Sequence, residues 1–197
     1  MNAKKLFARN ASILLLAFTL SGCGAVVVGG VVTGAAVVHD RRTTGTLVED
    51  QEIFLRAITI RQQDEELKRL SNINVDVYNL QVLLTGQAEN AQIVEGFRQR
   101  VAAIPRVRTV FNEVTIGAEN TWGEATADAY LTSRVKVALF DVGIEGFDPV
   151  RVKVTSSQGT VYLMGLLSAR EADAVTEKVR FVSGVKRVVK LFEYLDQ

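Results

Sequence analysis

Residues 161–172 read VYLMGLLSAREA, and this stretch predicts a strand that leads directly into a helix. Val161 and Leu163 stand two positions apart, which is the period of a strand with one buried face. Ser168 and Glu171 follow at the spacing of a capping box, in which each residue satisfies a backbone N–H near the helix N-terminus. The stretch therefore predicts a strand, a sharp corner and an amphipathic helix.

The same pattern occurs earlier in the chain, in residues 82–93, which read VLLTGQAENAQI. Gly86 matches Gly165, and Asn90 takes the place of the capping serine. A shift of 78 residues also aligns the flanking chain, in the following pairs: Asp50 with Asp128, Ile53 with Leu131, Arg56 with Arg134, Phe97 with Val175, Val101 with Val179 and Val107 with Val185. We therefore predict two homologous modules, at residues 47–117 and 125–197, joined by a linker at 118–124.

Each module is predicted to run helix, strand, strand, helix, strand. The first helices are expected at residues 49–70 and 128–142, and the second helices at 91–104 and 169–182. Hairpin turns are expected at Asn79-Leu80 and at Ser156-Ser157-Gln158-Gly159, between strands of alternating apolar residues that include Val150. The predicted fold class is α+β, with two tandem α-β-β-α-β modules, each a small three-stranded sheet covered by two helices.

The N-terminus has the three zones of a secretory signal peptide, predicted at residues 1–22. Its start is positive, residues 13–20 are apolar, and small residues follow. The sequence Leu20-Ser21-Gly22-Cys23 resembles the bacterial lipobox, in which the cysteine thiolate is alkylated by a diacylglycerol donor. Two or three acyl chains on Cys23 would anchor the protein stably, whereas one chain anchors poorly. Residues 23–46 are then the lipidated N-terminus and a tether.

An uncleaved transmembrane helix is the alternative for this region, because residues 11–38 carry no charge and are long enough to span a bilayer. The glycines of this segment disfavour an isolated helix. We therefore favour the lipid anchor on Cys23.

Composition argues against most catalytic and metal chemistry. The 197 residues contain one cysteine and one histidine, so an internal disulfide and a multi-thiolate metal site are excluded. The net charge of +1 predicts no polyanionic partner. Glu145 and Asp148 lie near each other in sequence, but no base, nucleophile or metal set accompanies them. We predict no enzyme activity, no catalytic residue, no metal, no cofactor and no small-molecule substrate.

A nucleic-acid module is a weak further alternative. Gly143 and Gly146 form a GxxG, as in KH domains, but Glu145 places an acid where a backbone phosphate would lie. The signal peptide also removes the chain from cytosolic RNA. We therefore predict no nucleic-acid partner.

The two modules resemble the BON domain, which occurs in bacterial osmotic-shock proteins and envelope lipoproteins. The matching motifs are Val75-x-Val77, Val82-x-Leu84-x-Gly86 and Val107-x-x-Val110 in the first copy, and Val152-x-Val154, Val161-x-Leu163-x-Gly165 and Ser183-Gly184-Val185-x-x-Val188 in the second. A lipobox followed by two such modules resembles the dual BON-domain outer-membrane lipoproteins, a family associated with division and outer-membrane stress. The first copy departs from the pattern at Pro105-Arg106, where the family often has a glycine.

The resemblance implies a protein anchored in the outer membrane and facing the periplasm, since a residue other than Asp, here Gly24, follows the lipidated cysteine. It also implies binding of anionic phospholipid by the second module, through its first helix, and support of envelope integrity. A protein-interaction scaffold for the envelope assembly machinery, without intrinsic recognition of lipid headgroups, is the alternative.

The predicted lipid-binding residues are Tyr130, Leu131, Arg134, Lys136 and Val137. An aromatic ring prefers the membrane interface, and the two cations are suited to lipid phosphates. In the alternative interpretation, Tyr130 covers the edge of the core and the charges are merely solvated.

Overall fold

The computed structural model describes residues 40–117 and 122–195, which belong to one compact unit. The predicted signal peptide, Cys23, the glycine-rich part of the tether and most of the linker lie outside these residues. Within the described ranges, the predicted order of helices and strands occurs once in each module. The α+β fold with two three-stranded sheets is confirmed.

The first module has two strands in a hairpin and a third strand that runs parallel to the second. Strand order is β1-β2-β3, with β1 and β2 antiparallel and β2 and β3 parallel. Its elements are α1 (Thr44–Gln63), α2 (Glu65–Leu70), β1 (Ser71–Tyr78), β2 (Gln81–Ala88), α3 (Ala91–Ala102) and β3 (Thr109–Ile116).

The second module repeats this topology, with strand order β4-β5-β6 and the same antiparallel and parallel pairs. Its elements are α4 (Trp122–Ala138), β4 (Val152–Ser157), β5 (Thr160–Leu167), α5 (Ala169–Arg180) and β6 (Arg187–Tyr194). Short 3₁₀ turns at Leu139–Asp141 and Pro149–Arg151 connect α4 to β4.

The first helices differ from their predicted bounds. The single helix predicted at 49–70 is broken at Asp64, whose extended backbone ends α1 and whose side chain accepts a hydrogen bond from the Leu67 N–H to cap α2. Helix α1 also begins earlier, because Thr43 caps it by accepting from the Thr46 N–H. In the second module, α4 begins at Trp122 rather than 128 and ends in the 3₁₀ turn at 139–141.

The start of the second hairpin was also predicted wrongly. Val150 lies in a 3₁₀ turn and is 47% exposed, because Asp148 caps that turn and Pro149 fixes its first backbone angle. Ser156 and Ser157 belong to β4, so the turn itself is Gln158-Gly159.

Both hairpins turn through two residues with positive φ, as a type I′ turn requires. These are Asn79 and Leu80 in the first module, and Gln158 and Gly159 in the second. In each module, an aspartate on the first helix accepts hydrogen bonds from both turn N–H groups. Asp50 accepts from Asn79 and Leu80, and Asp128 from Gln158 and Gly159. The repeated aspartate therefore fastens the helix to the hairpin.

The helices of each module cover one face of its sheet and bury an apolar core there. Ile53, Leu67 and Phe97 are almost fully buried in the first core, and Val135, Leu139 and Val175 are in the second. This arrangement leaves the outer sides of α1 and α4 in solvent.

The other faces of the two sheets pack against each other. Tyr78 and Leu83 of the first module meet Tyr162 and Met164 of the second in a third buried cluster. The Tyr78 hydroxyl donates to the Arg151 carbonyl and accepts from the Leu166 N–H, both at 3.3 Å. The expected contact between the modules is therefore present, and it is extensive.

The residues just before α1 are bound to the folded body. Arg41 donates to both carboxylate oxygens of Glu171 at 2.6 and 2.8 Å, and to the Leu166 carbonyl. Arg42 pairs with Asp50 at 2.7 Å and lies 4.0 Å from the centroid of the Tyr78 ring. The C-terminal end of the predicted tether is thus attached to both modules.

Candidate functional site

Helix α4 presents one face to the core and the opposite face to solvent. Leu131, Val135 and Leu139 recur along the buried face, with exposures of 6%, 0% and 1%. They pack against β4, β5 and α5 in the second core. The positions between them form the outer face.

The outer face of α4 carries large apolar side chains in solvent. Tyr130 is 66% exposed, Val137 is 70% exposed, and Phe140, in the 3₁₀ turn that follows, is 79% exposed. Single exposed apolar residues are common on protein surfaces, but three along one helix and the turn that ends it are unusual enough to suggest a function. We call these three residues the apolar row.

The five predicted lipid-binding residues do not all share this surface. Tyr130, Lys136 and Val137 are exposed, and Arg134 is half-buried beside them. Leu131 is buried against the core instead, because its position falls on the same helical stripe as Val135. It reaches solvent only as part of the wall of a neighbouring groove.

Arg134 lies between the apolar row and this groove. Its guanidinium is 5.8 Å from the centroid of the Tyr130 ring, which is within cation–π range. Among the described residues, no carboxylate forms an ion pair with Arg134. The cation is therefore held on the surface by an aromatic ring rather than neutralised.

The groove beside α4 has a volume of about 600 Å³. It is formed by α4, the β4–β5 turn and the loop that follows α5. Its lining includes Tyr130, Arg134, Gly159, Ser183, Gly184 and Lys186. The loop comes close to the helix at Gly184, where an added Cβ would lie 3.4 Å from a methyl group of Leu131.

The departure at Pro105-Arg106 in the first copy concerns the same loop. Gly184 has φ +100° and Arg106, its counterpart, has φ +72°, so both loops use the left-handed conformation. Helix α3 ends at Ala102, before Pro105, as α5 ends at Arg180. The loop therefore keeps its shape in both copies, although Arg106 lacks the conformational freedom of glycine.

Sequence reasoning missed Phe140 and Phe181. Phe181 follows α5 and is 72% exposed, with the Arg180 guanidinium 4.5 Å from its ring centroid. Lys178 of α5 donates to the Asp141 carboxylate, which lowers the pKa of Asp141 and ties the end of α4 to α5. Comparison of the two copies could have identified both phenylalanines. The first copy has Gln62 and Ala103 at their positions, so each phenylalanine is a larger, apolar replacement specific to the second copy.

The remaining sequence candidates do not assemble into a second site. Gly143 and Gly146 lie in a loop with φ near +73°, and a 3₁₀ turn rather than a helix comes next along the chain. Asp148 accepts from the Val150 N–H to cap that turn. In the described part of the chain, no group of three or more His, Cys, Asp or Glu side chains is placed to hold a metal ion.

No helix in residues 40–117 or 122–195 combines the length and the apolarity needed to cross a bilayer.

The model of the BON domain family matches this chain twice, at residues 61–118 and 127–196. The chain is 34% identical over 178 residues to the outer membrane lipoprotein DolP of Haemophilus influenzae, covering 90% of this chain and 91% of that protein. It is 33% identical over 156 residues to the 21 kDa hemolysin of Actinobacillus pleuropneumoniae, covering 79% of each.

A solved structure of CdsD, a structural protein of the type III secretion system of Chlamydia trachomatis, superposes with a TM-score of 0.30 at 14% identity. The superposition covers 73% of this chain and 92% of that one. A likeness of that degree does not bear on fold or function.

Proposed function

Because the chain belongs to the outer-membrane lipoproteins with two BON domains, we propose that it binds anionic phospholipid through the outer face of α4 and thereby supports envelope integrity. The apolar row is the observation that carries this proposal. The proposal includes lipidation at Cys23 and a body that faces the periplasm, and it assigns no catalysis to the chain.

The repeat supports the choice of the second module. At the positions of Tyr130, Val137 and Phe140, the first module has Glu52, Thr59 and Gln62. The two modules share one fold, so this difference does not follow from packing. A polar helix face is the ordinary solution at a protein surface, and only α4 departs from it at these three positions.

The chemistry of the α4 face suits the boundary between headgroups and acyl chains. Aromatic rings favour the membrane interface, and the free energy falls when exposed aliphatic and aromatic side chains leave water. Arg134 and Lys136 add positive charge near the same face, which is worth about 1 kcal/mol for each cation near an anionic surface. The face therefore offers apolar and electrostatic contacts together.

The first module has a matching cation that is already neutralised. Arg56, the counterpart of Arg134, pairs with Glu52 at 2.7 Å on the surface of α1. The counterpart of Glu52 is Tyr130, which holds Arg134 without cancelling its charge. This contrast favours α4 as the helix that meets anionic lipid.

The test measures binding of residues 35–197 to vesicles. This segment is one compact unit that holds both hydrophobic cores, so it is expected to fold without the lipid anchor, which circular dichroism checks. The double variant Val137→Thr and Phe140→Gln replaces two residues of the apolar row with the polar residues found at the same positions of the first module. Binding to vesicles with 30% phosphatidylglycerol should fall at least about tenfold, since a loss of 1.4 kcal/mol corresponds to tenfold.

The matched control is Leu55→Ser, which removes a side chain that is 55% exposed on α1 and replaces it with the residue found at the same place in α4. This variant should bind vesicles as the parent does. Equal losses in the two variants, or no vesicle binding by the parent, would overturn the proposal. Absence of vesicle binding together with direct binding of an envelope assembly protein would favour the scaffold instead.

Lipidation is tested separately on the full chain. Mass spectrometry of the mature protein should find diacylglycerol and an acyl chain on Cys23, with cleavage after Gly22. A Cys23→Ser chain should leave the membrane fraction. An unmodified Cys23 in a membrane-bound chain would contradict this part of the proposal.

A further inference from the structure

The groove beside α4 holds two cations that no described carboxylate neutralises. Arg134 and Lys186 both line it, and neither forms an ion pair among the residues that the structure describes. Asp128 also lines the groove, but its two oxygens accept from the N–H groups of Gln158 and Gly159, at 2.8 and 3.2 Å. The hydrogen-bonding donors of the two cations thus remain available.

The same place in the first module is neutralised pair by pair. Each cation there has its own carboxylate: Arg56 with Glu52 at 2.7 Å, Arg106 with Glu49 at 2.9 Å, and Arg108 with Glu193 at 2.5 Å. The last pair crosses the interface between the modules. At this place in the first module, the positive charges are therefore balanced by negative ones.

At the groove of the second module, none of these three acids has an acidic counterpart. With the shift of 78 residues, Ala127 stands for Glu49, Tyr130 for Glu52, and Thr115 for Glu193. The cations Arg134 and Lys186 are kept, as counterparts of Arg56 and Arg108. Thr115 also keeps the cross-module contact of its counterpart, by donating to Gln158 at 3.2 Å, but it brings no charge.

From this contrast we infer that the groove is a phosphate subsite, occupied by the phosphodiester of an acidic phospholipid headgroup. Arg134 and Lys186 supply charge-assisted hydrogen bonds, and the groove adjoins the Tyr130 end of the apolar row. The inference rests on the proposed function and adds a recognition element to it, since α4 alone would sense only a charged apolar surface. A phosphate in the groove makes binding depend on the loop after α5.

Two substitutions test the subsite without altering the apolar row. Lys186→Gln removes the charge and keeps the inner part of the side chain that packs over Gly159. Ala127→Glu places the acid of the first module next to the two cations. Each should weaken binding of residues 35–197 to vesicles with 30% phosphatidylglycerol, by roughly fivefold for Lys186→Gln. The matched controls, Arg56→Gln and Glu49→Ala in the first module, should leave binding unchanged.

A titration with glycerol 1-phosphate and with inorganic phosphate, followed by amide chemical shifts, distinguishes the sources of the phosphate. Glycerol 1-phosphate should move the amides of Gly159, Ser183 and Gly184, and it should compete with vesicles. If inorganic phosphate saturates these amides while vesicle binding persists, the groove binds free phosphate and the lipid assignment is overturned.

The outcomes separate this inference from the proposed function. If Val137→Thr with Phe140→Gln abolishes vesicle binding while Lys186→Gln and Ala127→Glu do not, the function stands and the subsite is wrong. If the parent binds no vesicles, the function is wrong whatever the groove does. Equal losses for Arg56→Gln and Lys186→Gln would indicate general attraction of charge and overturn the subsite.

Discussion

Gly86 lies where the fold has no room for a side chain. It has φ +108°, and a Cβ added there would lie 2.0 Å from the Asn72 carbonyl oxygen of the adjacent strand. Gly86 and Asn72 both belong to the paired strands, so neither can move away without breaking the β1–β2 ladder. Gly165 occupies the same place in the second module, where an added Cβ would lie 2.8 Å from the Arg151 carbonyl oxygen. The glycine shared by the two copies is therefore a packing requirement.

Gly86→Ala should lower the free energy of unfolding by more than about 3 kcal/mol, because it combines a backbone clash with an unfavourable φ. Urea denaturation measures the change. Gly96→Ala is the control, since that glycine lies in α3 and an added Cβ meets nothing within 4 Å. Alanine at 96 should stabilise the helix by about 0.5–1 kcal/mol. A mild effect at 86 would show that β1 and β2 can separate locally.

Glu171 connects the N-terminal segment to the second module. Burial alone would raise its pKa, but hydrogen bonds from Arg41 and Ser168 hold the pKa at about 2, below the ordinary 4.5. A depressed carboxyl pKa contributes stability that is fully present above the unfolded value and is lost as protons bind. The contribution of Glu171 should therefore disappear between pH 4.5 and pH 2.

Glu171→Gln should cost about 1–3 kcal/mol at pH 7, and the difference from the parent should shrink between pH 4.5 and pH 2. Thermal unfolding across this range measures both effects. Glu177→Gln removes a solvent-exposed partner of Arg180 and should change stability by less than about 1 kcal/mol. A pH-independent difference at 171 would mean that the side chain acts through packing alone.

Residue identity alone separated the lipid-facing candidates only in part. Tyr130 and Val137 do lie in solvent, and their places off the core stripe are visible in the sequence. Leu131 was placed in the set although its spacing from Val135 puts it on the core stripe. Phe140 was not included, although its spacing of three from Val137 also puts it off the core stripe and it is 79% exposed.

At the scale of elements, the strands and second helices were predictable because their signals are local. Alternation marks β2 and β5, and the caps at Asn90 and Ser168 mark the starts of α3 and α5. The first helices were harder, because Asp64 ends one helix and caps the next within a continuous helical pattern. The repeated Asp50 and Asp128 were matched in sequence, but their role requires the turn to be brought to the helix in space.

This role gives a prediction for the second module. Asp128→Asn keeps the size of the side chain but replaces one acceptor with a donor facing the N–H groups of the β4–β5 turn. The variant should lose about 1–3 kcal/mol of stability, and the amides of Gln158 and Gly159 should exchange faster with solvent. Because the turn forms one wall of the groove, vesicle binding should fall as well. Protection of these amides equal to that of the parent would contradict the role.

At the scale of the whole molecule, the two sheets lie face to face, so each module covers what would otherwise be an open sheet surface. The contact was expected from the short linker, but its form was not readable from the sequence. Tyr162, Met164 and Leu83 follow the strand period on the side opposite the helices. Such a pattern indicates a strand buried on both faces without saying which partner covers the second face.

The interface also determines how the α4 face is presented, since it fixes the second module against the first, and Arg41 and Arg42 bind to both modules. Met164→Lys places a charge at a position that is 1% exposed between the sheets. Burying an unpaired charge costs several kcal/mol, so the modules should separate while each keeps its own core. Small-angle scattering should then report a larger radius of gyration, and amide shifts should change in β2, β3, β5 and β6. Leu55→Lys, at a position that is 55% exposed, is the control and should change neither measurement.

Because the lining of the groove includes no residue of the first module, the opened molecule should still bind vesicles through α4. Loss of vesicle binding on opening would instead make the first module a part of the lipid site.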